Sequence, residues 1–472
     1  MFKKVLVANR GEIALRVIRA CRDLGIKTAA VYSSADANSL PVRLADEAVH
    51  IGPAPPRQSY LHIPNVIGAA LKTGSDAIHP GYGFLSEDPY FAEICADNGI
   101  AFVGPPPGVM ETLGNKSVTR AVMAEAGLPL LPGTVTPVAS TEEAHAVAAE
   151  IGYPVVLKAS AGGGGRGITV VRHRDDLPNA LAATRATAQA LFNDPSVYME
   201  RYLESARHIE VQVIADGFGS AVHLGERDCT VQRRHQKLIE ESPSPAVDAG
   251  LRDRLCEAAL RGAQAVEYQG AGTVEFLLDD QGCFWFMEMN ARIQVEHPVT
   301  EMVAAIDLVA EQLRVAAGHP LSFKQEDVLL RGHALECRIN AENPDLGFSP
   351  TPGRLETYIL PGGPWVRVDT HCTAGESVPP YYDSLIAKLI VWGEDRPEAL
   401  DRMRRALDEF HVEGPGMRTT IDFHRQVLAH PRFQDGCVTI DFVANHLDTL
   451  LGQPHRGVGG RGLPGGSPLV TA

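Results

Sequence analysis

An excess of basic residues, a long apolar run and a paired cysteine motif are all missing from this sequence. Its 43 lysines and arginines stand against 58 aspartates and glutamates, a net charge of −15, which argues against binding to nucleic acid or anionic lipid, since both need a basic face. No stretch approaches the ~20 apolar residues that cross a bilayer, and the N-terminal apolar run is too short for a signal peptide. The eight cysteines include no C-x-x-C pair, which argues against zinc and disulfides and predicts a cytoplasmic protein.

Strand-like and helix-like segments alternate in the first part of the chain. Apolar runs predict strands at 5–8, 28–33, 77–79 and 100–104, and helical spacing predicts helices at 13–24 and around 91–97. This order predicts a doubly wound parallel sheet. No G-x-G-x-x-G motif occurs, so a dinucleotide site has little support, but the loops at 9–12 and 79–84 should face the crevice at the strand ends.

The remainder of the chain divides at changes in composition. The segment 105–108, Pro-Pro-Pro-Gly, continues neither a helix nor a central strand and marks a first boundary. A helix at 141–151 and the apolar run 155–171 predict a small inserted subdomain, and mixed α+β structure follows to residue 451. From Gly452 to Ala472, ten of 21 residues are Gly or Pro, which predicts a disordered tail.

Four consecutive glycines at 162–165 lie between two apolar stretches. Glycine loops expose backbone N–H groups that hold phosphate oxygens. Because β-branched residues follow directly, the loop should join two strands as a flap, unlike a P-loop, which leads into a helix. Lys158, at the end of the incoming strand, is placed to neutralise phosphate charge. The alternative is a flexible linker.

Residues 273–290 have the pattern of a β-hairpin that turns at Gln281 and Gly282. With a register symmetric about that turn, Glu275 lies opposite Glu288, and Asn290 shares the face of Glu288. Facing carboxylates repel each other unless a cation lies between them, and oxygen donors suit Mg²⁺. The sequence therefore predicts a magnesium site, with a solvated polar face as the alternative.

The alternation of faces continues past the hairpin. In an extended chain Asn290, Arg292, Gln294 and Glu296 share one face, where a cation, an amide and a carboxylate would bind and deprotonate a small anion. Salt-bridged surface residues are an equal alternative for this segment taken alone.

Two more polar clusters stand out, at 227–237 and 334–340. The first is basic, but it has no interleaved aromatic residues and is followed by two glutamates, which disfavours nucleic acid. Extended geometry there would place His235 and Lys237 on one face, towards a transferring phosphate. In the second cluster Arg338 presents a guanidinium either to a polar ligand or to a structural salt bridge on the Glu336 side.

Together these motifs resemble the biotin carboxylase family of the ATP-grasp superfamily. The resemblance rests on VANRGEIA at 7–14, HPGYGFLSE at 79–87, the glycine run, the cluster 227–237, EMNARIQVEHP at 288–298 and VPPYYDSL at 378–385. It extends from Phe2 to residue 447. It implies an α/β N-terminal domain over 1–113, an ATP-grasp domain over 114–330 with a lid at 130–203, and a mixed α/β C-terminal domain over 331–447, before the tail at 452–472.

The resemblance also implies the residues of the site. ATP would be bound by Lys116, Lys158, Gly164, Gly165, Glu200, Arg201, Tyr202, Leu203, His208, Gln232, His235, Glu275 and Glu288. The metal would be held by Glu275, Glu288 and Asn290, and bicarbonate by Lys237, Arg292, Gln294 and Val295. Biotin would contact Arg338 and Tyr82, and catalysis would fall to Arg292, Glu296, Lys237 and Arg338, with Glu296 as the general base.

The implied reaction is ATP-dependent carboxylation of biotin with bicarbonate, through carboxyphosphate, with Mg²⁺ or Mn²⁺ as cofactor. Biotin would be carried by a separate carrier protein, because the chain contains no Met-Lys-Met, and a carboxyltransferase subunit would complete the enzyme. By resemblance the chain is a homodimer that performs the first half-reaction of an acetyl-CoA or other acyl-CoA carboxylase. The subunit of a pyruvate carboxylase and a non-catalytic ATP-binding scaffold are the alternatives.

The sequence departs from the family pattern in three places. Asn115 stands where the family usually has Asp, and 416–420 reads GMRTT where the family has G-[IV]-x-T-N. The glycine-rich tail has no family counterpart.

Overall fold

A computed structural model describes residues 1–134, 136–160 and 167–452 of the chain. Gly164 and Gly165 of the predicted flap, and the predicted tail beyond Gly452, lie outside the described residues. Within them, no helix combines the length and the apolar character needed to cross a membrane.

The N-terminal part is a parallel sheet wrapped by helices on both sides. Its elements are β1 (Lys4–Val7), α1 (Gly11–Asp23), β2 (Lys27–Ser33), α2 (Leu40–Leu44), β3 (Glu47–Gly52), α3 (Ile63–Thr73), β4 (Ala77–His79), α4 (Pro89–Asp97), β5 (Ala101–Phe102) and α5 (Pro107–Gly114). The strand order is β3-β2-β1-β4-β5, all parallel. Val5, Leu6 and Val7 are fully buried, as expected for a central strand covered on both faces. The predicted doubly wound sheet is confirmed.

A small subdomain follows α6 (Lys116–Glu125). Its elements are α7 (Thr141–Ile151), β6 (Val155–Ala159), β7 (Ile168–Val171), α8 (Leu177–Phe192) and β8 (Val197–Arg201). The three strands form an antiparallel sheet in the order β7-β6-β8. The Ser140 hydroxyl accepts from the backbone N–H of Glu143 and caps α7, which has the predicted bounds. As predicted, the glycine run connects two strands of one sheet, β6 and β7.

The next elements are β9 (Ala206–Ala215), β10 (Ala221–Arg233), β11 (Gln236–Ser242), α9 (Ala249–Ala265), β12 (Gly270–Asp279), β13 (Phe284–Asn290), α10 (His297–Ala304) and α11 (Leu308–Ala316). Their five strands join β14 (His333–Asn340), β21 (Leu385–Gly393) and β19 (Val366–Thr370) in one antiparallel sheet of eight strands, in the order β13-β12-β9-β10-β11-β14-β21-β19. Strand β11 pairs with β14 of the C-terminal part, so one hydrogen-bonded sheet crosses the predicted boundary at 330. The three domain boundaries remain predictions.

The C-terminal part adds the remaining strands and a helical layer. It contains β14 (His333–Asn340), β15 (Glu342–Asn343), β16 (Ser349–Pro350), β17 (Gly353–Arg354), β18 (Thr357–Ile359), β19 (Val366–Thr370), β20 (Ser377–Val378), β21 (Leu385–Gly393), α12 (Arg396–Glu409), β22 (His411–Glu413), α13 (Ile421–Ala429), α14 (Pro431–Gln434) and α15 (Phe442–Gly452). Leu335, Cys337 and Ile339 of β14 are fully buried in the core beneath α12. The other face of β14 therefore carries its polar residues towards α10, as the alternation predicts.

Candidate active site

The β12–β13 hairpin brings two glutamates face to face, as predicted. Glu275 pairs with Glu288, and Thr273 pairs with Asn290. The predicted symmetric register is nevertheless wrong near the turn, where Phe276 pairs with Phe286. A β-bulge at Met287 absorbs the extra residue, and a loop closed by the Asp279 N–H and the Cys283 carbonyl replaces the two-residue turn.

Glu275 is the acceptor on which several strands converge. Its Oε1 accepts hydrogen bonds at 3.0 Å from Lys237 Nζ, Asn290 Nδ2 and Gln294 Nε2. Its Oε2 lies 3.2 Å from His208 Nε2. Burial works to raise the pKa of Glu275, but Lys237 and His208 lower it below its usual range, so it is a carboxylate at neutral pH.

Lys237 lies among three buried carboxylates. Its ammonium is 2.6 Å from Glu210 Oε2, 3.0 Å from Glu275 Oε1 and 2.6 Å from Glu296 Oε1. Burial alone would lower the pKa of Lys237, but these three charges raise it well above its usual value. His208, Glu210 and Glu275 also bring possible metal-ligand atoms within 4.8 Å of one another. Because Lys237 bonds to two of these three residues, the ammonium supplies the cation at that point.

Residues 291–296 are a bend and turn that lead into α10, so the predicted continuation of the strand is wrong. The polar side chains converge nevertheless, because the turn brings them back over the hairpin. Arg292 Nη1 donates to Gln294 Oε1 at 2.9 Å, and Arg292 Nη2 donates to Asn290 Oδ1 at 3.3 Å. Glu87, which the sequence analysis missed, accepts from Arg292 Nε at 3.0 Å and from the Ala291 N–H at 2.9 Å.

Glu296 is held between two cations. Its Oε1 lies 2.6 Å from Lys237 Nζ, its Oε2 lies 2.8 Å from Arg338 Nη2, and the side chain is fully buried. Burial opposes ionisation, yet Lys237 and Arg338 hold the pKa of Glu296 well below its usual value. Arg338 also donates from Nε to Glu240 Oε1 at 2.6 Å, so the predicted salt bridge on this face is made by Glu240 and Glu296. The site therefore presents an ionised carboxylate beside two cations.

A second group of charges lies between α6 and the three-stranded sheet. Lys158 Nζ is 2.5 Å from Glu200 Oε2, and Arg120 contacts the other oxygen of Glu200. Burial would raise the pKa of Glu200, but these two cations lower it. Lys116 Nζ lies 3.5 Å from Glu288 Oε2, which connects this group to the hairpin.

Asn115 caps α6 by accepting from the backbone N–H groups of Ser117 and Val118 at 3.1 and 3.2 Å. Its amide oxygen thus does the capping that an aspartate would do, and this departure from the family pattern leaves the helix start intact. Thr420 belongs to the second departure from the family pattern, at 416–420. Its Oγ1 donates to the Arg338 carbonyl at 2.8 Å and accepts from the Asn340 N–H at 3.0 Å, which ties this segment to β14.

The predicted nucleotide residues lie along the junction of the two sheets. Arg201, Tyr202 and Leu203 form the end of β8 and the link to β9, where the Tyr202 N–H donates to the Pro154 carbonyl at 3.0 Å. Gln232 is buried near the end of β10.

The prediction of an extended chain at His235 is wrong. Arg234 and His235, with φ of 48° and 65°, form the tight turn between β10 and β11. Two positive φ values in a two-residue turn match the right-handed twist of the strands, so the chain reverses there. Burial lowers the pKa of His235, and Lys158 and His208 lower it further.

Tyr82 joins the site through a buried chain of contacts. Its hydroxyl donates to Glu12, whose Oε1 lies 3.1 Å from Lys388 Nζ. Lys388 is fully buried and donates to the Val295 carbonyl at 2.9 Å, so the predicted residues Tyr82 and Val295 are connected through Glu12 and Lys388.

Most partners of the predicted residues were not predicted from the sequence. They are the exposed Glu87 and the buried residues Glu12, Arg120, Glu210, Arg227, Glu240 and Lys388. A signal existed for Glu210, since His208, Glu210 and Gln212 alternate with Ile209, Val211 and Val213 along β9. Polar residues at every second position of a strand whose other face is core mark a polar interior face.

Three family models match the chain. "Biotin carboxylase, N-terminal domain" matches residues 1–110, "Carbamoyl-phosphate synthase L chain, ATP binding domain" matches 115–324, and "Biotin carboxylase C-terminal domain" matches 336–445. A biotin carboxylase from Nostoc sp. is 54% identical over 442 residues, which are 94% of this chain and 98% of that protein. The chain belongs to the biotin carboxylase family.

Solved biotin carboxylases have the same fold. A biotin carboxylase from Campylobacter jejuni, solved as a beta-gamma-ATP complex, is 48% identical, with a TM-score of 0.92 over 94% of this chain and 99% of that one. The biotin carboxylase domain dimer of a Hydrogenobacter thermophilus 2-oxoglutarate carboxylase, solved with MgADP, ADP and bicarbonate, is 45% identical, with a TM-score of 0.91 over 95% and 99% of the two chains. The predicted family, fold class and ligase activity on biotin are confirmed.

The hairpin residues of this biotin carboxylase fit a hard divalent cation. Glu275 and Glu288 are cross-strand partners, and Asn290 follows on the same strand with its amide against Glu275. Two carboxylates and an amide oxygen are donors that Mg²⁺ and Mn²⁺ accept, together with the phosphate oxygens of a nucleotide.

Proposed function

We propose that this chain carboxylates biotin on a carrier protein with ATP and bicarbonate, and that Glu296 is the base. The observation that carries the assignment is the position of Glu296 between Lys237 and Arg338. A base must be ionised and must lie where an anionic substrate is held; the lowered pKa of Glu296 and the two cations beside it support this role.

The cations divide into a nucleotide group and a bicarbonate group. Lys116 and Lys158 would neutralise the phosphates of ATP, with Gly164, Gly165 and His235 completing the phosphate site. Glu200, Arg201, Tyr202, Leu203, His208 and Gln232 would hold the adenine and ribose. This division is supported by the position of Lys158 at the end of β6, where the glycine run begins. Screening phosphate charge and positioning the acceptor are the main requirements of phosphoryl transfer.

Glu275, Glu288 and Asn290 would hold Mg²⁺ or Mn²⁺. When bound, the cation supplies charge neutralisation of the phosphate oxygens. The chain itself contributes the orientation of the donors, since the pairing of β12 with β13 keeps both carboxylates on one side of the hairpin. Lys237 and His208 keep Glu275 ionised and therefore ready to ligate.

Lys237, Arg292, Gln294 and the Val295 backbone would bind bicarbonate. Arg292 is fixed by Glu87, Gln294 and Asn290, so its guanidinium is held in place before the anion arrives. A cation that is already in position needs little free energy of reorganisation when charge develops on the substrate.

The proton of bicarbonate would pass to Glu296. Without an anion, Lys237 and Arg338 both hold the pKa of Glu296 low, which makes it a weak base. Bicarbonate that shares Lys237 weakens the effect of this ammonium on Glu296 and raises the pKa of Glu296, so the base strengthens when the substrate is bound. Arg338 and Tyr82 would then hold biotin, with the Arg338 guanidinium against the developing charge on the ureido oxygen.

We further propose a cytoplasmic homodimer that acts with a biotin carboxyl carrier protein and a carboxyltransferase, as the first half of an acetyl-CoA or other acyl-CoA carboxylase. The dimeric structure of the Hydrogenobacter relative supports the homodimer. The same relative serves a 2-oxoglutarate carboxylase, and a pyruvate carboxylase subunit would carry the same site, so acceptor choice belongs to the carboxyltransferase.

Release of ADP from ATP in the presence of Mg²⁺, bicarbonate and free biotin tests the activity. We expect turnover that depends on bicarbonate and is stimulated by biotin. A chain that binds ATP but shows no such turnover would be the non-catalytic scaffold.

A further inference from the structure

A fully buried glutamate, Glu336, lies behind Arg338 and has no place in the reaction described so far. It precedes Arg338 by two residues on β14, so both side chains lie on the same face of the sheet. Its cross-strand partner on β11 is Glu240, which is also fully buried and which bonds to Arg338 Nε at 2.6 Å.

Three carboxylate oxygens in this pair have no hydrogen-bond donor among the described residues. They are both oxygens of Glu336 and Oε2 of Glu240. Glu240 and Glu336 are direct partners on adjacent strands, where Cβ atoms lie about 5 Å apart, so the two buried carboxyl groups are close neighbours. A buried polar oxygen without a partner is costly, and two buried carboxylates side by side cost much more.

The surrounding charges are already engaged. The groups that face Glu336 are Arg338 on its own strand, Glu240 on β11, Lys388 on β21, and Glu296 at the start of α10. Arg338 is bonded to Glu240 and Glu296, while Lys388 is bonded to the Val295 carbonyl and lies 3.1 Å from Glu12. No described cation pairs directly with Glu336, so one carboxyl group of the pair must be neutral.

The balance of charges decides which group holds the proton. Burial raises the pKa of Glu336 well above its usual value, against the opposing effect of Lys388, and the charge of Glu240 raises it further. Burial also raises the pKa of Glu240, to about 7, although Arg338 opposes the rise. Since only Glu240 has a direct ion pair, the proton belongs on Glu336.

We propose that Glu336 is a positioning residue, whose carboxylic acid donates a hydrogen bond to Glu240 Oε2 and so keeps Glu240 ionised against Arg338. With Glu240 on one side and Glu296 on the other, the guanidinium of Arg338 has a single orientation. Glu336 touches neither substrate nor base and acts only through Glu240. The inference rests on the proposed role of Arg338 towards biotin.

Two variants of Glu336 test whether its hydrogen-bond donor is needed. In Glu336→Gln the amide still donates to Glu240, so we expect kcat/KM for biotin within about threefold of the parent. In Glu336→Met, a side chain of similar length, the donor is lost, and kcat/KM for biotin should fall roughly 10- to 100-fold. The KM for ATP, which involves other residues, should change less than about threefold in both. An equal loss in the two variants, or none in Glu336→Met, would overturn the proposal.

Glu241→Gln, on the same strand as Glu240, is a matched control. Glu241 is buried but points to the other face, where it bonds to His333 and Arg396. Its loss should lower the thermal stability and leave the KM for biotin unchanged. A rise in that KM would mean that any damage to β11 disturbs Arg338, against a specific role of Glu336.

An infrared difference spectrum reads the proton directly and does not depend on catalysis. The parent minus Glu336→Gln, at neutral pH, should show the carbonyl band of one buried, protonated carboxylic acid. A carboxylate band in its place refutes the proposal even if Glu336→Met fails to fold. If Arg338→Met leaves the kinetics with biotin unchanged while the acid band is present, the role assigned to Arg338 is wrong. The hydrogen bond proposed between Glu336 and Glu240 would still stand.

Discussion

Replacing Glu296 with glutamine tests the central assignment, because it removes the base with almost no change in shape. Each oxygen of Glu296 contacts one cation, Lys237 Nζ at 2.6 Å and Arg338 Nη2 at 2.8 Å. Glutamine keeps one acceptor, loses the charge and turns an NH₂ group towards one of these cations. Lys237 keeps two other carboxylates, so the fold should tolerate the change.

The expected loss of activity in Glu296→Gln follows from the proposed role of Glu296 as the general base. Removal of a general base typically costs 10²- to 10⁴-fold in rate, or about 3–5 kcal/mol in the activation barrier. Glu296 touches none of the residues assigned to the nucleotide except through Lys237, so the Kd for ATP should change by about threefold or less, about 0.6 kcal/mol. The loss should therefore appear in turnover and leave nucleotide binding nearly intact.

The assay combines bicarbonate-dependent ADP release with calorimetric titration of ATP. Glu311→Gln is a suitable control, since Glu311 is buried on α11, where its carboxylate accepts hydrogen bonds from Ser322 and lies 3.9 Å from Arg314 Nε. That variant should lose stability and keep turnover. If Glu296→Gln loses turnover and ATP affinity to the same extent, Glu296 is structural, and if it loses neither, another group is the base.

Three further changes have defined outcomes. Lys237→Met leaves three buried carboxylates without their shared cation, which should lower the unfolding free energy by roughly 3–5 kcal/mol in thermal denaturation; an unchanged melting temperature would contradict this. Glu288→Gln should raise the Mg²⁺ concentration for half-maximal ADP release about 10-fold or more, and a lower maximal rate with unchanged metal dependence would argue against a ligand. Arg16 and Arg367, against the effect of burial, lower the pKa of Glu301 from 4.5 to about 2, so its stabilisation is complete above about pH 4.5 and is lost as the pH falls towards 2. Between those pH values, the unfolding free energy of the parent, measured by urea titration, should fall by roughly 3 kcal/mol more than that of Glu301→Gln. An equal fall in the two proteins would refute this.

Local sequence patterns correctly predicted one helix and one cross-strand pair of the hairpin. The helix at 141–151 has its predicted bounds, and Glu275 faces Glu288 as the hairpin pattern requires. The register between that pair and the turn was wrong, because a bulge adds one residue on one strand only. The alternation of polar and apolar residues does not reveal such an insertion until the partner strand is known.

Two predictions of extended chain failed for a similar reason. Polar residues at every second position from 290 to 296 suggested a strand, but the chain leaves the sheet after Asn290 and turns into α10. His235 lies in a turn that requires two positive φ values, in a sequence with neither Gly nor Asn to signal it.

Ordered motifs and the hydrophobic pattern were enough to predict the family and the fold class, and the motifs indicated a set of candidate site residues. Which charges meet depends on the tertiary structure. Glu210, Glu240 and Glu296 come from three separate parts of the chain, yet they surround Lys237 and Arg338 in one buried volume. Ionisation there depends on burial and on distances of a few ångströms between groups far apart in the chain, and these exist only once the eight-stranded sheet has formed.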